Sequence, residues 1–252
     1  MYNFNIETRK KTFATEYGSY FLNLEEFIFS DYGINENISD EFEEYKHIGN
    51  FCLNLPIDSI VIDIGANYGL SSFPPAIRGY DVIGFEPVEI NYFLLNKSIE
   101  ENNLQEKIKT HKLALSNKDE ISKIYVPCYR DNCSLNKDSA VLNMNKTKDF
   151  SEETIRTMKF DSWLDQNKEV LENKIKFIKS DTQGYESAII EGMSGFIDRN
   201  SDFYILLEWD KNLAGNAGFS LDKLYNFLLS NNFEEKTWIN EDKLFYKNKS
   251  KA

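Results

Sequence analysis

The chain has 252 residues, 41% of them hydrophobic and 14% aromatic, with 29 basic against 41 acidic side chains and a formal charge of −12. That is enough chain and apolar surface for one α/β domain with elaborated ends. The acidic balance argues against a nucleic-acid partner, and no run of 18 apolar residues marks a membrane span.

The first residues, Met1-Tyr2-Asn3-Phe4-Asn5, lack the basic and then apolar pattern of a signal peptide. Residues 1–55 read as an N-terminal cap of short helices and a possible hairpin. In it Tyr17-Gly18-Ser19-Tyr20 is a turn, and Phe21 to Phe29 fits a helix or a strand equally well. The main domain is expected over 56–252. Its first strand runs from Ser59 to Ile64 and leads into a glycine turn. Pro74-Pro75 then forces the following helix to start late or stay short. The second strand is Asp81 to Phe85, followed by a helix from Ile90 to Asn102. Strands are expected at Ile108 to Leu113 and Ile121 to Val126. The polar stretch 131–153 reads as a mobile insertion. A fourth main strand, Ile175 to Ser180, precedes a helix from Glu186 to Met193. The fifth, Phe203 to Glu208, precedes a helix from Ser220 to Asn231 with Ser220 as its cap. Phe233 to Trp238 and Leu244 to Tyr246 form the last pair of strands, turning at Asn240-Glu241-Asp242, and the tail from Lys247 to Ala252 is expected to fray.

Strands and helices in steady alternation imply a mostly parallel sheet covered on both faces, which binds ligands beyond the carboxyl ends of its strands. The notable polar residues fall there: Asp63 to Asn67, Glu86, Ala114 to Ser116, Asp181 to Gln183, and Glu208. Gly65 and Gly69 allow backbone to approach a ligand. Glu86, 23 residues beyond Asp63, stands where a carboxylate takes ribose hydroxyls. The spacing Gly65-Ala66-Asn67-Tyr68-Gly69 departs from the dinucleotide pattern Gly-x-Gly-x-x-Gly and suits S-adenosylmethionine better than NAD.

With these residues placed, the chain resembles the FkbM family of S-adenosylmethionine-dependent methyltransferases. The resemblance rests on Asp63 to Gly69, Gly84-Phe85-Glu86-Pro87, Leu113 to Ser116, Phe160-Asp161-Ser162-Trp163-Leu164, Ile178-Lys179-Ser180-Asp181-Thr182-Gln183-Gly184-Tyr185-Glu186 and Leu206-Leu207-Glu208, in order over about 58–210. It implies a class I methyltransferase, Rossmann-like fold with a seven-stranded sheet and an antiparallel final strand. It also implies O-methylation of a saccharide or other small metabolite, as in polysaccharide modification. The run Ser71-Ser72-Phe73-Pro74-Pro75 departs from the pattern, and the first 55 residues and the 131–153 insertion have no counterpart.

On this reading Asp63, Gly65, Ala66, Asn67, Gly69, Glu86, Pro87, Ala114 and Asp181 form the cofactor site. Asp63 either binds the cofactor's amino group or holds the loop through backbone N–H groups; Asn67 stabilises the loop, Pro87 stiffens the turn and Ala114 offers backbone to adenine. Asp181 is expected to deprotonate or orient the acceptor hydroxyl, or else to cap the following helix, with His47 as a second candidate base; His111, inside a strand, reads as structural. Gln183, Glu208 and Trp209 are candidates for the acceptor side. No metal is expected, although Asp181, Glu208 and Asp210 are oxygen donors of a suitable kind. Cys52, Cys128 and Cys133 are odd in number and form no metal-ligand pattern. They read as reduced cytoplasmic thiols, with Cys128 and Cys133 close enough in sequence to pair on oxidation. The competing functions are a nucleotide-sugar oxidoreductase on a similar sheet, disfavoured by the glycine spacing and the lack of Tyr-x-x-x-Lys, and a non-catalytic cofactor-binding module.

Overall fold

The computed structural model describes residues 8–25, 45–127, 133–141 and 150–248. The expectations for 26–29, for Cys128 and for the tail beyond 248 lie outside the described residues.

The centre is a sheet of seven strands: β3 (Ile60–Ile64), β4 (Asp81–Phe85), β5 (Ile108–His111), β9 (Ile175–Ser180), β10 (Phe203–Leu207), β11 (Phe233–Lys236) and β12 (Lys243–Lys247). Their spatial order is β11-β12-β10-β9-β3-β4-β5. Neighbours from β10 across to β5 pair in parallel, and β12 pairs antiparallel with both β10 and β11. The strand order reverses between β3 and β9, so the connections that follow these two strands leave in opposite directions and open a crevice.

Successive strand residues point to opposite faces, and each face has its own core. Val61, Val82, Phe177 and Leu206 face one cluster; Ile62, Ile83, Ile178 and Ile205 face the other. The first cluster is covered by α1 (45–52), α2 (Phe73–Ile77), α3 (Glu89–Glu101) and a hairpin of β1 (Thr8–Thr15) with β2 (Gly18–Glu25). The second is covered by α5 (Phe160–Gln166), α6 (Glu186–Gly192), α7 (Ser194–Arg199) and α9 (Leu221–Ser230).

One irregularity fixes the site. Ile60 pairs with Ile175, but Val61 pairs with Phe177, so β9 carries one extra residue at Lys176. A bulge of one residue exchanges the faces of everything beyond it. Ile175 and Ile178 consequently share a face, and Lys179 lies opposite Asp63 on the other.

The structure departs from the expected elements in several places, among them Lys247, expected to fray, which ends β12. The strand expected to run to Leu113 ends at His111, and Ala114–Leu115 forms β6 in a separate sheet of order β6-β8-β7. Its other strands are β7 (Glu120–Pro127) and β8 (Phe150–Met158), so Phe150 to Glu153 belong to a strand and not to the insertion. Within the insertion α4 (Lys137–Val141) is helical. The helix after the glycine turn does have proline in its first positions and runs for 5 residues. A further short helix, α8 (Lys211–Asn216), follows β10.

The hairpin docks on α3 through polar groups as well as the core. The Asn23 N–H donates to Ser98 Oγ at 2.8 Å. Asn102 receives the Phe21 N–H at 3.0 Å and donates to the Phe21 carbonyl at 2.7 Å. Arg78 ties α1 to α2: it donates to the Pro74 carbonyl and to Asn50 Oδ1, and its guanidinium lies 4.4 Å from the centre of the Tyr17 ring. Cys52 is buried nearby, where desolvation pushes its thiol up to about 12 despite the opposing charge of Arg78. Among the described residues no helix is long and apolar enough to cross a membrane.

Candidate functional site

The glycine turn after β3 is built for close backbone approach. Gly65 has φ +79°, and a Cβ there would stand 2.0 Å from the carbonyl oxygen of Asp181. The two central strand ends thus touch through main chain, with the Asp181 N–H also donating to the Ile64 carbonyl at 3.1 Å. Gly69, at φ +100°, leaves room for Phe73 and Leu95. Between them the N–H groups of Gly65 and Ala66 both donate to the Phe85 carbonyl, joining the loop to the end of β4.

Asp63 does not present its carboxylate to the crevice surface. It is buried, and its Oδ2 accepts the hydroxyls of Ser71 at 2.7 Å and Ser72 at 2.5 Å. It therefore holds the loop, as one of its two expected roles required, but through side-chain hydroxyls and not backbone N–H groups. The Ser71-Ser72 departure from the family pattern supplies those hydroxyls. Asp63 Oδ1 accepts no hydrogen bond and faces the Lys179 ammonium at 3.8 Å.

Glu86 is buried at the end of β4. One carboxylate oxygen accepts the Asn67 N–H and the other the Val88 N–H, each at 2.9 Å. Burial pushes its carboxyl from 4.5 up to about 7. The Val88 and Asn67 N–H groups and the Asn91 side chain pull the other way, and Asp63 adds to the rise. Asn67, at φ 48°, carries a buried side-chain oxygen without a hydrogen-bond partner beside this carboxylate. Pro87 lies half-buried in the turn that brings the Val88 N–H back to Glu86. Ala114 is in β6, paired with Thr157 of β8.

Three acidic residues meet at the ends of β9 and β10. Asp181 Oδ2 is 3.2 Å from Lys179 Nζ, and its Oδ1 accepts from Gln183 Nε2 at 3.2 Å. Gln183, held at φ 56°, also donates to Glu208 twice: from its backbone N–H at 2.9 Å and from Nε2 at 3.0 Å. Glu186, in the first turn of α6, accepts the N–H and hydroxyl of Thr182, each at 2.8 Å. Asp181 accepts no backbone N–H of α6, whose N-cap is Tyr185. Burial raises both Glu186 and Glu208, the latter well above the carboxylate range, and the Asp181 charge adds to both shifts.

Lys179 went unnoticed as a site residue, although it precedes Asp181 in the motif. It is only 6% exposed, and its ammonium reaches Asp181, Asp63 and the Ser71 hydroxyl at 3.4 Å, 5.7 Å from the centre of the Tyr45 ring. Burial favours the neutral amine, but the Asp181 and Asp63 charges more than offset it and hold the ammonium well above its ordinary value. Alternation would have found the Lys179–Asp63 pair only with the bulge at Lys176 known.

Two other candidates are placed differently from expectation. His47 meets Trp238 edge to face at 5.1 Å, so α1 packs His47 on the β11–β12 connection and gives Tyr45 to the crevice lysine instead. Trp209 packs on Phe245 and Tyr225 with ring centres 5.9 and 6.3 Å away, and joins the second core. Asp210 caps α8 by accepting the N–H groups of Asn212 and Leu213. Among the described residues no group of three or more His, Cys, Asp or Glu side chains is arranged to hold a metal ion. Part of the insertion closes over this end of the sheet: Ser134 donates to the Gln183 carbonyl at 3.1 Å and Ser139 to the Leu213 carbonyl at 3.2 Å.

A seven-stranded sheet in this order, with a glycine turn after its first strand and a carboxylate after its second, defines the class I methyltransferase fold. The fold is shared with an O-methyltransferase from Bacillus cereus in complex with SAH, at TM-score 0.50 and 13% identity over 82% of this chain and 81% of that one. A precorrin-6y C5,15-methyltransferase from Geobacter metallireducens matches at TM-score 0.45 and 12% identity over 80% and 87% of the two chains. The profile of the methyltransferase FkbM domain matches residues 63–235, and the protein belongs to that family. No protein of curated function matches the chain.

Proposed function

We propose that the protein transfers a methyl group from S-adenosylmethionine to a hydroxyl of a saccharide or another small metabolite. The observation that carries the cofactor reading is the pair Asn67 and Glu86. The Asn67 side-chain oxygen, buried and without a partner, belongs to the residue whose N–H binds a buried carboxylate, and that carboxylate already accepts two backbone N–H groups and the Asn91 side chain. Two ribose hydroxyls suit that pair. Gly65 and Gly69 keep the turn free of side chains, and Asp63 anchors it through Ser71 and Ser72.

The donor supplies a methyl group already activated by its sulfonium charge. What remains for the chain is to align an acceptor oxygen, exclude water and receive a proton. Asp181, Gln183 and Glu208 present planar polar groups of the kind that grip hydroxyls, and Ser134 and Ser139 fasten the insertion beside them. The overall charge of −12 favours a neutral acceptor over a nucleic acid. Labelled methyl transfer to a pooled extract of small molecules tests the activity, and calorimetry with S-adenosylmethionine tests the site. A folded sample that gives no heat at high micromolar cofactor ends the proposal. A sample that binds but methylates nothing favours the non-catalytic alternative.

A further inference from the structure

Three carboxylates meet beside one buried ammonium, and their partners differ in kind. Asp181 has a full positive charge on one oxygen, Lys179 Nζ at 3.2 Å, and the Gln183 amide on the other. Lys179 has no freedom to leave. It is 6% exposed, fixed by the β9 bulge opposite Asp63, and held by the Ser71 hydroxyl. Glu208 is gripped only by neutral donors, the backbone and side-chain N–H groups of Gln183. The titratable groups facing it are the carboxylates of Asp181, Glu186 and Asp242, and among the described residues no ammonium or guanidinium forms an ion pair with it. Glu186 is committed to Thr182 and buried under the first turn of α6. Two neighbouring carboxylates with such unlike partners, one held by an ammonium and the other by neutral donors alone, suit two roles, a fixed anion and a proton carrier.

We propose that Lys179 and Gln183 position Asp181 as the standing anion of the site, and that Glu208 takes the proton of the acceptor hydroxyl. This assignment rests on the methyl-transfer reading. As the hydroxyl oxygen bonds to the methyl carbon, the bond from that carbon to sulfur breaks with its electron pair going to sulfur. The hydroxyl proton passes to a Glu208 carboxylate oxygen, leaving a neutral carboxyl that returns its proton to water. Glu208 acts in its ionised form, and its carboxyl lies well above the usual range because it is desolvated among like charges. Turnover therefore rises with pH through that ionisation. Asp181, ion-paired with Lys179, orients the hydroxyl. Lys179 works through Asp181 and is a positioning residue.

Two measurements test this. Infrared titration of the cofactor-free protein follows protonated carboxyl groups without any substrate. Glu208→Gln is expected to remove one carboxyl that stays protonated above the ordinary carboxylate range, and Asp181→Asn to keep it but ionise it at lower pH. If the Glu208→Gln spectrum matches the parent's, the assignment is overturned. With an acceptor in hand, the low-pH limb of kcat/KM should vanish in Glu208→Gln with a loss of about 10² to 10⁴. It should survive in Glu208→Asp at reduced rate and in Asp181→Asn. Lys179→Met should lower kcat at least tenfold with the limb intact, and Lys179→Arg should recover part of it. A limb lost with Asp181→Asn and kept in Glu208→Gln reverses the roles and sinks the proposal. Failure of the parent protein to bind S-adenosylmethionine sinks the methyl-transfer reading instead, and the infrared result still decides which carboxyl of the cluster holds a proton.

Discussion

Glu86 and Gly65 show how much one residue settles at this site, and in each case the physical cause gives a measurement. On the proposed cofactor reading Glu86 takes ribose hydroxyls as a carboxylate, and burial raises its carboxyl to about 7. Affinity for S-adenosylhomocysteine should therefore rise about tenfold between pH 6 and pH 8, following the ionised fraction. Calorimetry across that range checks it: Glu86→Gln should flatten the profile, and Glu86→Ala should cost about 10- to 100-fold in affinity at pH 8, the worth of hydrogen bonds to a charged group. A profile that is flat in the parent protein removes Glu86 from the contact. Gly65 separates close approach from strain. Gly65→Ala meets the Asp181 carbonyl at 2.0 Å, whereas a Cβ at Gly79, of similar positive φ, meets nothing nearer than 4.0 Å. Gly79→Ala should cost about 1 kcal/mol of left-handed strain, and Gly65→Ala several times that, because two strand ends must part. Urea unfolding of the pair decides it, and equal losses would mean that strain alone matters. Both residues were legible in the sequence as motif members. What Lys179 does was not, because its pairing with Asp63 across the strands is set by the shifted register of β9, which no short motif records.

Among the elements, those with a clear period or a clear stop were read nearly to the residue. The strands Asp81–Phe85 and Ile175–Ser180 were placed as they stand, and the double proline at Pro74 ends the freedom of α2 as expected. β8 was missed because its burial pattern alternates weakly, with Ser151, Glu152 and Thr154 on a strand that pairs at the margin of the molecule. The bulge was missed because Ile175, Phe177 and Ile178 are all apolar, so nothing in their order reveals which one changes face. The hairpin was ambiguous for a different reason: its apolar residues are stabilised by α3, far along the chain, and not by local propensity. That dependence is testable. Asn102 secures both backbone groups of Phe21, so Asn102→Ala should release the hairpin locally at a cost of about 1 to 3 kcal/mol, with two partners left unsatisfied. Hydrogen exchange should then quicken in β1 and β2 while β3, β9 and β10 keep their protection. Uniform loss of protection would show instead that the hairpin and the sheet unfold together.

The whole molecule carries an unusual load of buried acid, and that sets how its stability must respond to pH. Glu86, Glu186 and Glu208 are all raised above the carboxylate value, chiefly by desolvation. A carboxyl raised in the folded state stays protonated there while the unfolded chain has already ionised. Its contribution is complete below the unfolded value and is lost as pH climbs through the folded one. For Glu86 that window runs from 4.5 to about 7. At about 1.4 kcal/mol per pH unit of separation, its share is on the order of 3 kcal/mol. One opposing group is His111, half-buried and lowered by desolvation, which favours the fold as pH rises because the unfolded chain holds the proton more readily; the lowered acids are exposed and weak. Glu101, Asp119 and Glu235 are lowered by partners such as Asn23, Ser162 and Lys243, and their contribution falls away only as pH drops through the lowered values. Lys179 stays charged throughout this range and adds no slope. The net charge of −12 acts in the same direction as the buried acids, since self-repulsion grows with ionisation. The protein should therefore be most stable in mild acid, with Tm roughly 5–10 °C higher at pH 5.5 than at pH 8. Glu86→Gln should remove part of that difference in proportion to its share. Thermal melts at fixed ionic strength measure it directly. A Tm that climbs from pH 5.5 to 8 would mean these carboxylates are already ionised in the folded state, and with it the division of labour between Asp181 and Glu208 would lose its physical basis.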